Sequence, residues 1–352
     1  MKIRRVEPVA VRLPMRRPVK MAREVVRAAD SVLVRLETSE GIVGWGEAAC
    51  APAMTGETLA TMMRAVSDIA PRIKAPQDLG AMPGNLAARS AIDIAIHDAL
   101  GKTLGKPVCE LLGGRRRDSV PLLWTLAGGD EIEEARDQRR SGYAFFKIKV
   151  GVSDAAADAA RTNALCDALT GVQLVCADAN QGWSVPDALA YVRAIDKAGL
   201  AFLEQPVAGK DLGGMAQVAA ATRIPIAFDE GVHGLDDIRS HHAARAAAGG
   251  SLKTIKLGGL AGVMEAADLC RSLGMKVNLA CKIAESGIAA AALLHLAAAL
   301  PSIEWGVSPT SHNLEDDLLV SPLPIANGRA QIPRGPGLGI EVREKDLARY
   351  RL

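Results

Sequence analysis

Two kinds of periodicity divide this chain. Residues 31–38 (SVLVRLET) and 42–48 (IVGWGEA) alternate apolar and polar positions, and Ser39-Glu40-Gly41 between them is a turn signal. An antiparallel hairpin is predicted there. Helical spacing takes over at 57–74 and at 85–112, where Ile92, Ala95, Ile96 and Ala99 recur on one face and Gly113-Gly114 ends the pattern. Strands followed by helices predict an α+β unit. From about Val120 short apolar runs alternate with amphipathic stretches. The runs are 120–125, 145–150, 172–177, 201–203, 225–228, 251–255, 276–280 and 303–307, and 155–169, 186–198 and 262–273 read as helices between them. Eight such units with short loops predict a closed (β/α)₈ barrel. A doubly wound sheet is the rival, because strand order is not written in the sequence.

Composition narrows the class. Of 352 residues 49% are hydrophobic and 23% charged, a globular balance. With 42 basic against 40 acidic residues there is no excess charge for a nucleic-acid backbone. The longest apolar run, 288–300, is interrupted by His295 and is too short to cross a bilayer. The N-terminus shows no apolar leader, and the six cysteines form no CxxC pair. A cytoplasmic protein with reduced thiols is expected. Gly335-Pro-Gly337-Leu-Gly339 precedes no helix and reads as a turn, not as a dinucleotide fingerprint.

The chemistry lies where the predicted strands end, which is where barrel enzymes place their catalytic groups. Lys147 and Lys149, Asp178 and Asn180, Glu204, Asp229 and Glu230, Lys253, and Lys282 occupy those ends, 24 to 29 residues apart from one strand to the next. Asp178, Glu204 and Asp229 on three consecutive strands would repel one another without a cation. Oxygen donors with no Cys or His among them suit Mg²⁺, with Mn²⁺ as its substitute. Lys147 and Lys149 share a face of one strand, and a cationic neighbour lowers a lysine's pKa toward that of a base. Lys253 and Lys256 stand three apart, so a continuous strand would show only one of them to a substrate.

These residues resemble a known family. KIKVG at 147–151, ADANQGW at 177–183, LEQP at 203–206, FDE at 228–230 and LKTIKLGG at 252–259 are similar to the enolase superfamily. They look most like its mandelate racemase/muconate lactonizing enzyme family, in the muconate-lactonizing subgroup. VGWGEA at 43–48, AIDIAIHDALGK at 91–102, LLGG at 111–114, WTLAGGD at 124–130 and IPRGPGLGI at 332–340 extend the likeness over nearly the whole chain. The resemblance implies an α/β fold: a TIM-like (β/α)₇β barrel (118–322) under an α+β capping domain (1–117), completed by the tail (323–352). It implies that Asp178, Glu204 and Asp229 ligate Mg²⁺. Lys149 and Lys253, the first lysine of Lys-x-x-Lys-x-Gly-Gly, would be the acid/base pair, with Lys256 the fallback. Lys147 would assist electrostatically, and Asn180 and Glu230 would neighbour the metal site. The chemistry implied by the resemblance is the one general to the superfamily, a Lys or His base acting with Mg²⁺ that stabilises an enediolate.

Three departures bear on the reaction. No histidine base like that of mandelate racemase is evident. The glutamate that muconate cycloisomerases carry after the last strand is missing, since Trp305-Gly306 leads into Val307-Ser308; Ser308 is a candidate substrate contact instead. The Asp-x-Asp of dipeptide epimerases is also missing. Lys282, near Glu285 and Ser286, reads either as a ligand for an anionic substrate group or as a structural ion pair. Abstraction of a proton α to a carboxylate, giving racemisation or epimerisation by two opposed lysines, is the leading expectation. Cycloisomerisation, syn-β-elimination and a silent carboxylate-binding protein are the alternatives. The expected partner is a small-molecule carboxylate, without nucleic acid or membrane, and the chain is expected to be a homo-oligomer. Cap loops at 17–24 and 50–57 are expected to shape the distal pocket.

Overall fold

Three antiparallel strands, β1 (Ile3–Lys20), β2 (Val25–Thr38) and β3 (Val43–Ala49), open the chain as one sheet in that order. The computed structural model describes residues 1–20, 22, 25–81, 83–126, 130–195 and 199–352, with backbone alone at 20 and 81. The predicted hairpin is β2–β3, with Val34 opposite Gly46. β1 was not legible as a strand: it carries Pro8, Pro14 and Pro18, which lack the N–H a ladder uses. It lies at the sheet edge, where proline is tolerated. Residues 17–20, expected in a loop, belong to this strand.

Helices α1 (Pro52–Thr55), α2 (Leu59–Ile69), α3 (Leu86–Leu104) and α4 (Val108–Leu111) follow. The single helix expected over 85–112 is broken at Gly105, which ends α3 at φ 64°, and Pro107 precedes α4. Contact between α3 and β3 is close because Gly44 and Gly46 bear no side chain: a Cβ on either would collide with the backbone of Ala95 or Ala91. Asp98, buried in α3, accepts from Trp45 N at 2.8 Å, Lys102 Nζ at 2.7 Å and Leu338 N at 2.8 Å. One carboxylate thus ties the helix to the sheet and to the GPGLG turn.

β4 (Ser119–Pro121) does not enter the barrel, as the run at 120–125 had suggested. It pairs with β14 (Arg329–Gln331), which pairs with β13 (Ile325–Ala326). The barrel strands are β5 (Leu123–Leu126), β6 (Phe145–Lys149), β7 (Leu174–Asp178), β8 (Leu203–Glu204), β9 (Ile226–Phe228), β10 (Gly249–Leu252), β11 (Lys276–Ala280) and β12 (Val307–Ser308). All neighbours are parallel and in sequence order, and a bridge between Leu122 and Val307 joins the two ends. A doubly wound sheet would reverse its order midway, so that rival is excluded.

Between the strands run α5 (Glu131–Arg140), α6 (Ala155–Ala168), α7 (Val185–Ala194), α8 (Leu212–Ala220), α9 (Leu235–Ala243), α10 (Thr254–Leu257), α11 (Leu260–Ser272) and α12 (Gly287–Ala299). Residues 127–129 of the WTLAGGD segment and 196–198 of the expected 186–198 helix lie outside the described residues. Phe145, Leu174, Cys176, Phe202 and Trp305 fill the barrel interior, with the Phe202 and Trp305 rings stacked at 4.3 Å. The chain end returns to β1: Arg12 N donates to Tyr350 O and Leu352 N to Ala10 O. Cys109, Cys166, Cys176, Cys270 and Cys281 are free thiols. Among the described residues no helix is long and apolar enough to cross a membrane.

Candidate active site

Period-two alternation puts Lys147 and Lys149 on one face of β6, and that face is the barrel interior, where both are buried. Burial of two ammonium groups demands partners. Lys147 Nζ donates to Glu204 Oε2 at 2.6 Å and lies 3.8 Å from Asp178 Oδ2. Lys149 Nζ donates to Asp178 Oδ2 at 2.6 Å and to Asn180 Oδ1 at 2.7 Å. Asn180 passes the contact on, its Nδ2 donating to Glu230 Oε1 at 3.1 Å. On the other side Lys253 Nζ donates to Asp229 Oδ2.

Strand six corrects an expectation. β10 stops at Leu252, and the lysines flank the first turn of α10, not a strand. Three residues apart on a helical turn is one face, so both reach Asp229. Lys253 lines the cavity, whereas Lys256 is wholly buried, with Nζ 2.7 Å from Asp229 Oδ1 and donating to Asp229 O and to Ser251 O at 3.2 Å. Lys256 therefore supports Asp229 from behind.

The electrostatics follow from dry surroundings and close opposite charges. Burial pushes the Lys147 ammonium toward losing its proton, but Glu204 and Asp178 outweigh it and its pKa rises above the ordinary lysine value. Burial is likewise outweighed at Lys253, raised chiefly by Asp229. At Lys256 burial wins and the pKa falls. Burial raises Glu204, while Asp229 is held far below the usual carboxylate range by Lys253 and Lys256 and Asp178 is lowered by Lys149 and Lys147, in both cases against burial. Burial and the Asp229 charge push Glu230 up to about 7.

The donor set suits a divalent cation. All available atoms are oxygens, the chemistry of a hard ion. Glu204 Oε1 and Glu230 Oε2 are buried without a hydrogen-bond partner, an arrangement that costs free energy unless something satisfies them. The residues fit such an ion. As they stand, each of the three acids is turned onto a lysine, and among the described residues no three His, Cys, Asp or Glu side chains form a ready-made metal cluster.

Above the acids is a cavity of about 70 Å³. Lys147, Lys149, Asp178, Asn180, Glu230, Lys253, Lys282 and Ser308, all expected from the sequence, line it; Glu204 and Asp229 lie buried behind the lining. The cap contributes Ala51, Ala53 and Met54 from the 50–57 segment, which contains α1. His233, after β9, is 2.7 Å through Nε2 from Met54 O, so the cap segment is tied to the loop after the Asp229 strand. In the 17–24 segment, residues 21, 23 and 24 lie outside the described residues.

Sequence reasoning missed several contributors. Gln205 Oε1 accepts from Asp229 N at 2.9 Å and Gly231 N at 3.1 Å, fixing the strand end that carries the third acid. The LEQP string contained it, but only the register reveals its targets. Asn180, Gln181 and Gln205 adopt φ of 42°, 64° and 37°, strained values for side chains with a Cβ that cluster where a site over-determines its backbone. Thr125, Thr310 and Cys281 also line the cavity and had no motif to announce them.

Comparison with known proteins agrees with this architecture. Residues 3–113 match the mandelate racemase/muconate lactonizing enzyme N-terminal domain model, and residues 130–346 match the enolase C-terminal domain-like model. The chain belongs to the mandelate racemase/muconate lactonizing enzyme family of the enolase superfamily, in the muconate-lactonizing subgroup, and its relatives there are isomerases. It is 34% identical to the chloromuconate cycloisomerase of Cupriavidus pinatubonensis, over 97% of this chain and 96% of that one. It is 30% identical to the L-Ala-D/L-Glu epimerase of Bacillus subtilis, over 97% of each. Muconate lactonizing enzyme from Pseudomonas fluorescens, solved with muconolactone, superposes with a TM-score of 0.94 at 30% identity over 99% of both chains. N-succinyl Arg/Lys racemase from Bacillus cereus gives 0.93 at 28% identity, over 100% and 98%. Enzymes of this family are generally metal-dependent.

Proposed function

We propose that this chain is a Mg²⁺-dependent isomerase that removes the proton α to a substrate carboxylate and returns it on the opposite face. One observation carries the reading: Lys149 and Lys253 come from β6 and the end of β10, four strands apart in a ring of eight, on either side of the strands bearing the acids. Asp178, Glu204 and Asp229 would hold the cation, which when bound supplies positive charge to offset the negative charge developing on the substrate carboxylate. Lys149 Nζ takes the α-proton as the C–H bond breaks and its electron pair moves into the carboxylate. The Lys253 ammonium then donates a proton to the same carbon from the other side. For the opposite enantiomer the two exchange roles. Asp229, which raises the proton affinity of Lys253 here, is one of the proposed metal ligands, so one carboxylate governs both the cation and that lysine. Lys147, paired with Glu204, adds positive charge beside Lys149.

The relatives include both racemase/epimerase and cycloisomerase chemistries, and the second supports an alternative in which only one lysine acts as base. Mass spectrometry of a panel of amino, hydroxy and N-acyl acids in D₂O with Mg²⁺ separates them. Lys149→Ala should abolish racemisation yet spare α-exchange of the enantiomer facing Lys253, and Lys253→Ala should do the reverse, each loss being about 10²–10⁴-fold. Loss of the same single enantiomer in both variants would make the reaction one-base. Absence of exchange across the panel in the parent enzyme would favour a silent binding protein.

A further inference from the structure

Lys253 is carried by a turn that cannot stand alone. α10 is four residues long, and Lys253 precedes it without a capping bond from its side chain. A single helical turn fixes several backbone angles for few hydrogen bonds and does not persist unaided. Its own bonds are long, with Lys256 N and Leu257 N both reaching Lys253 O at 3.2 Å. Lys149 is placed differently. It ends β6, a five-residue strand paired with β5 on one side and β7 on the other.

The support for α10 comes from the cap. Ile255 is wholly buried, and the hydrophobic cluster it joins is the cap's own: among the described residues every other buried member lies between Ile3 and Ala99. The turn packs on α3, β3 and α1. Just beyond it α11 opens at Gly259, which has no side chain to cap a helix. Asp93, buried on α3, takes that place, its Oδ2 accepting from Leu260 N at 2.6 Å. The approach is so close that a Cβ on Gly259 would lie 2.4 Å from Asp93 Oδ2, and Gly259 holds φ 125°. Cap residues thus grip the turn at its middle and immediately past its end.

We infer that Asp93 and Ile255 are positioning residues for Lys253, so that one acid/base lysine is held by the cap and the other, Lys149, by the barrel. This rests on the proposed function, in which Lys253 exchanges a proton with the substrate. Neither residue lines the cavity, and each acts only through the backbone that carries Lys253. A disturbance of Asp93 should therefore reach one face of the substrate and not the other.

Two readouts test this. The first needs no substrate: trace labelling of lysines with acetic anhydride on the Mg²⁺-loaded enzyme, read by peptide mass spectrometry. Asp93→Ala should raise labelling of Lys253 about fivefold, the gain in local opening expected when a helix cap is lost, and leave Lys149 unchanged. Asp93→Asn keeps an acceptor for Leu260 N and should restore the parent value. Lys253 labelled as in the parent, or Lys149 rising equally with it, overturns the inference. If Asp93→Ala does not fold, Ile255→Val loosens the same turn more gently and should show the same asymmetry, with the same results counting against it. The second readout is α-proton exchange in D₂O with both enantiomers of alanine, lactate and N-acetylalanine. Where the parent exchanges both, Asp93→Ala should slow the enantiomer facing Lys253 by about 10–10²-fold and spare the other. Equal losses overturn the inference while leaving the proposed function intact. A parent that exchanges neither enantiomer of any acid in the wider panel counts against the proposed function, and the labelling asymmetry then decides by itself whether the cap holds Lys253.

Discussion

Glu47 joins the cap to the barrel and should impose a pH dependence on the stability of the whole chain. It lies on β3, fully buried, and accepts from Ser286 N at 3.0 Å, Ser31 Oγ at 3.0 Å and Ala289 N at 3.3 Å, so it caps a barrel helix from the other domain. Glu285 returns the contact by accepting from Ala49 N at 3.2 Å. Burial, then the Glu285 charge, pushes the Glu47 carboxyl from its ordinary 4.5 up to about 7. Between those values the unfolded chain releases the proton while the folded chain keeps it. The associated stability is thus complete below pH 4.5 and lost as pH rises through 7. At about 1.4 kcal/mol per tenfold change the loss is ~3 kcal/mol. Glu47→Gln retains an acceptor and cannot ionise, so its unfolding curve should lack this decline. Urea denaturation of both proteins at pH 5, 6, 7 and 8 measures the difference, since the shift at Glu230 is common to both. Parallel pH profiles for the two proteins would refute the assignment of the proton to Glu47.

Other perturbations test separate parts. Chelation should abolish activity, with Mg²⁺ or Mn²⁺ restoring it, and Glu204→Gln should weaken Mg²⁺ binding in a calorimetric titration; full activity in excess chelator would remove the metal site. Lys256→Met strips Asp229 of a buried cationic partner and should cost about 3–5 kcal/mol of stability, read by denaturation in the absence of metal. Gly46→Ala drives a methyl into the Ala91 backbone and should lower stability by about 1–3 kcal/mol or more, seen as a lower thermal midpoint.

Barrel and acids were legible in the sequence because one βα unit recurs and the six strands β6 to β11 each end at or beside a charged residue at the same height. What the sequence withheld was either irregular or relational. β1 was hidden by prolines and arginines that only an edge position tolerates. Lys256 could not be placed because alternation along a strand and the turn of α10 give opposite answers, and the switch at Lys253 carries no capping side chain to mark it. The Gln205 side chain bonds across to the next strand end, and the Glu47–Glu285 exchange spans 238 positions, the difference of their numbers; neither leaves a local pattern.

The His233–Met54 contact bears on how such a protein can be remodelled. Met54 lies in the segment over the cavity, yet its carbonyl is held from the barrel side, beyond the strand end that carries Asp229. The cap segment is therefore not an interchangeable part. A transplanted 50–57 segment arrives without the imidazole that held its donor's backbone, or meets one shaped for a different carbonyl. Grafts that carry residue 233 together with the segment would move both halves of the tether, so recombination across this boundary is best cut into two pieces of sequence and not one.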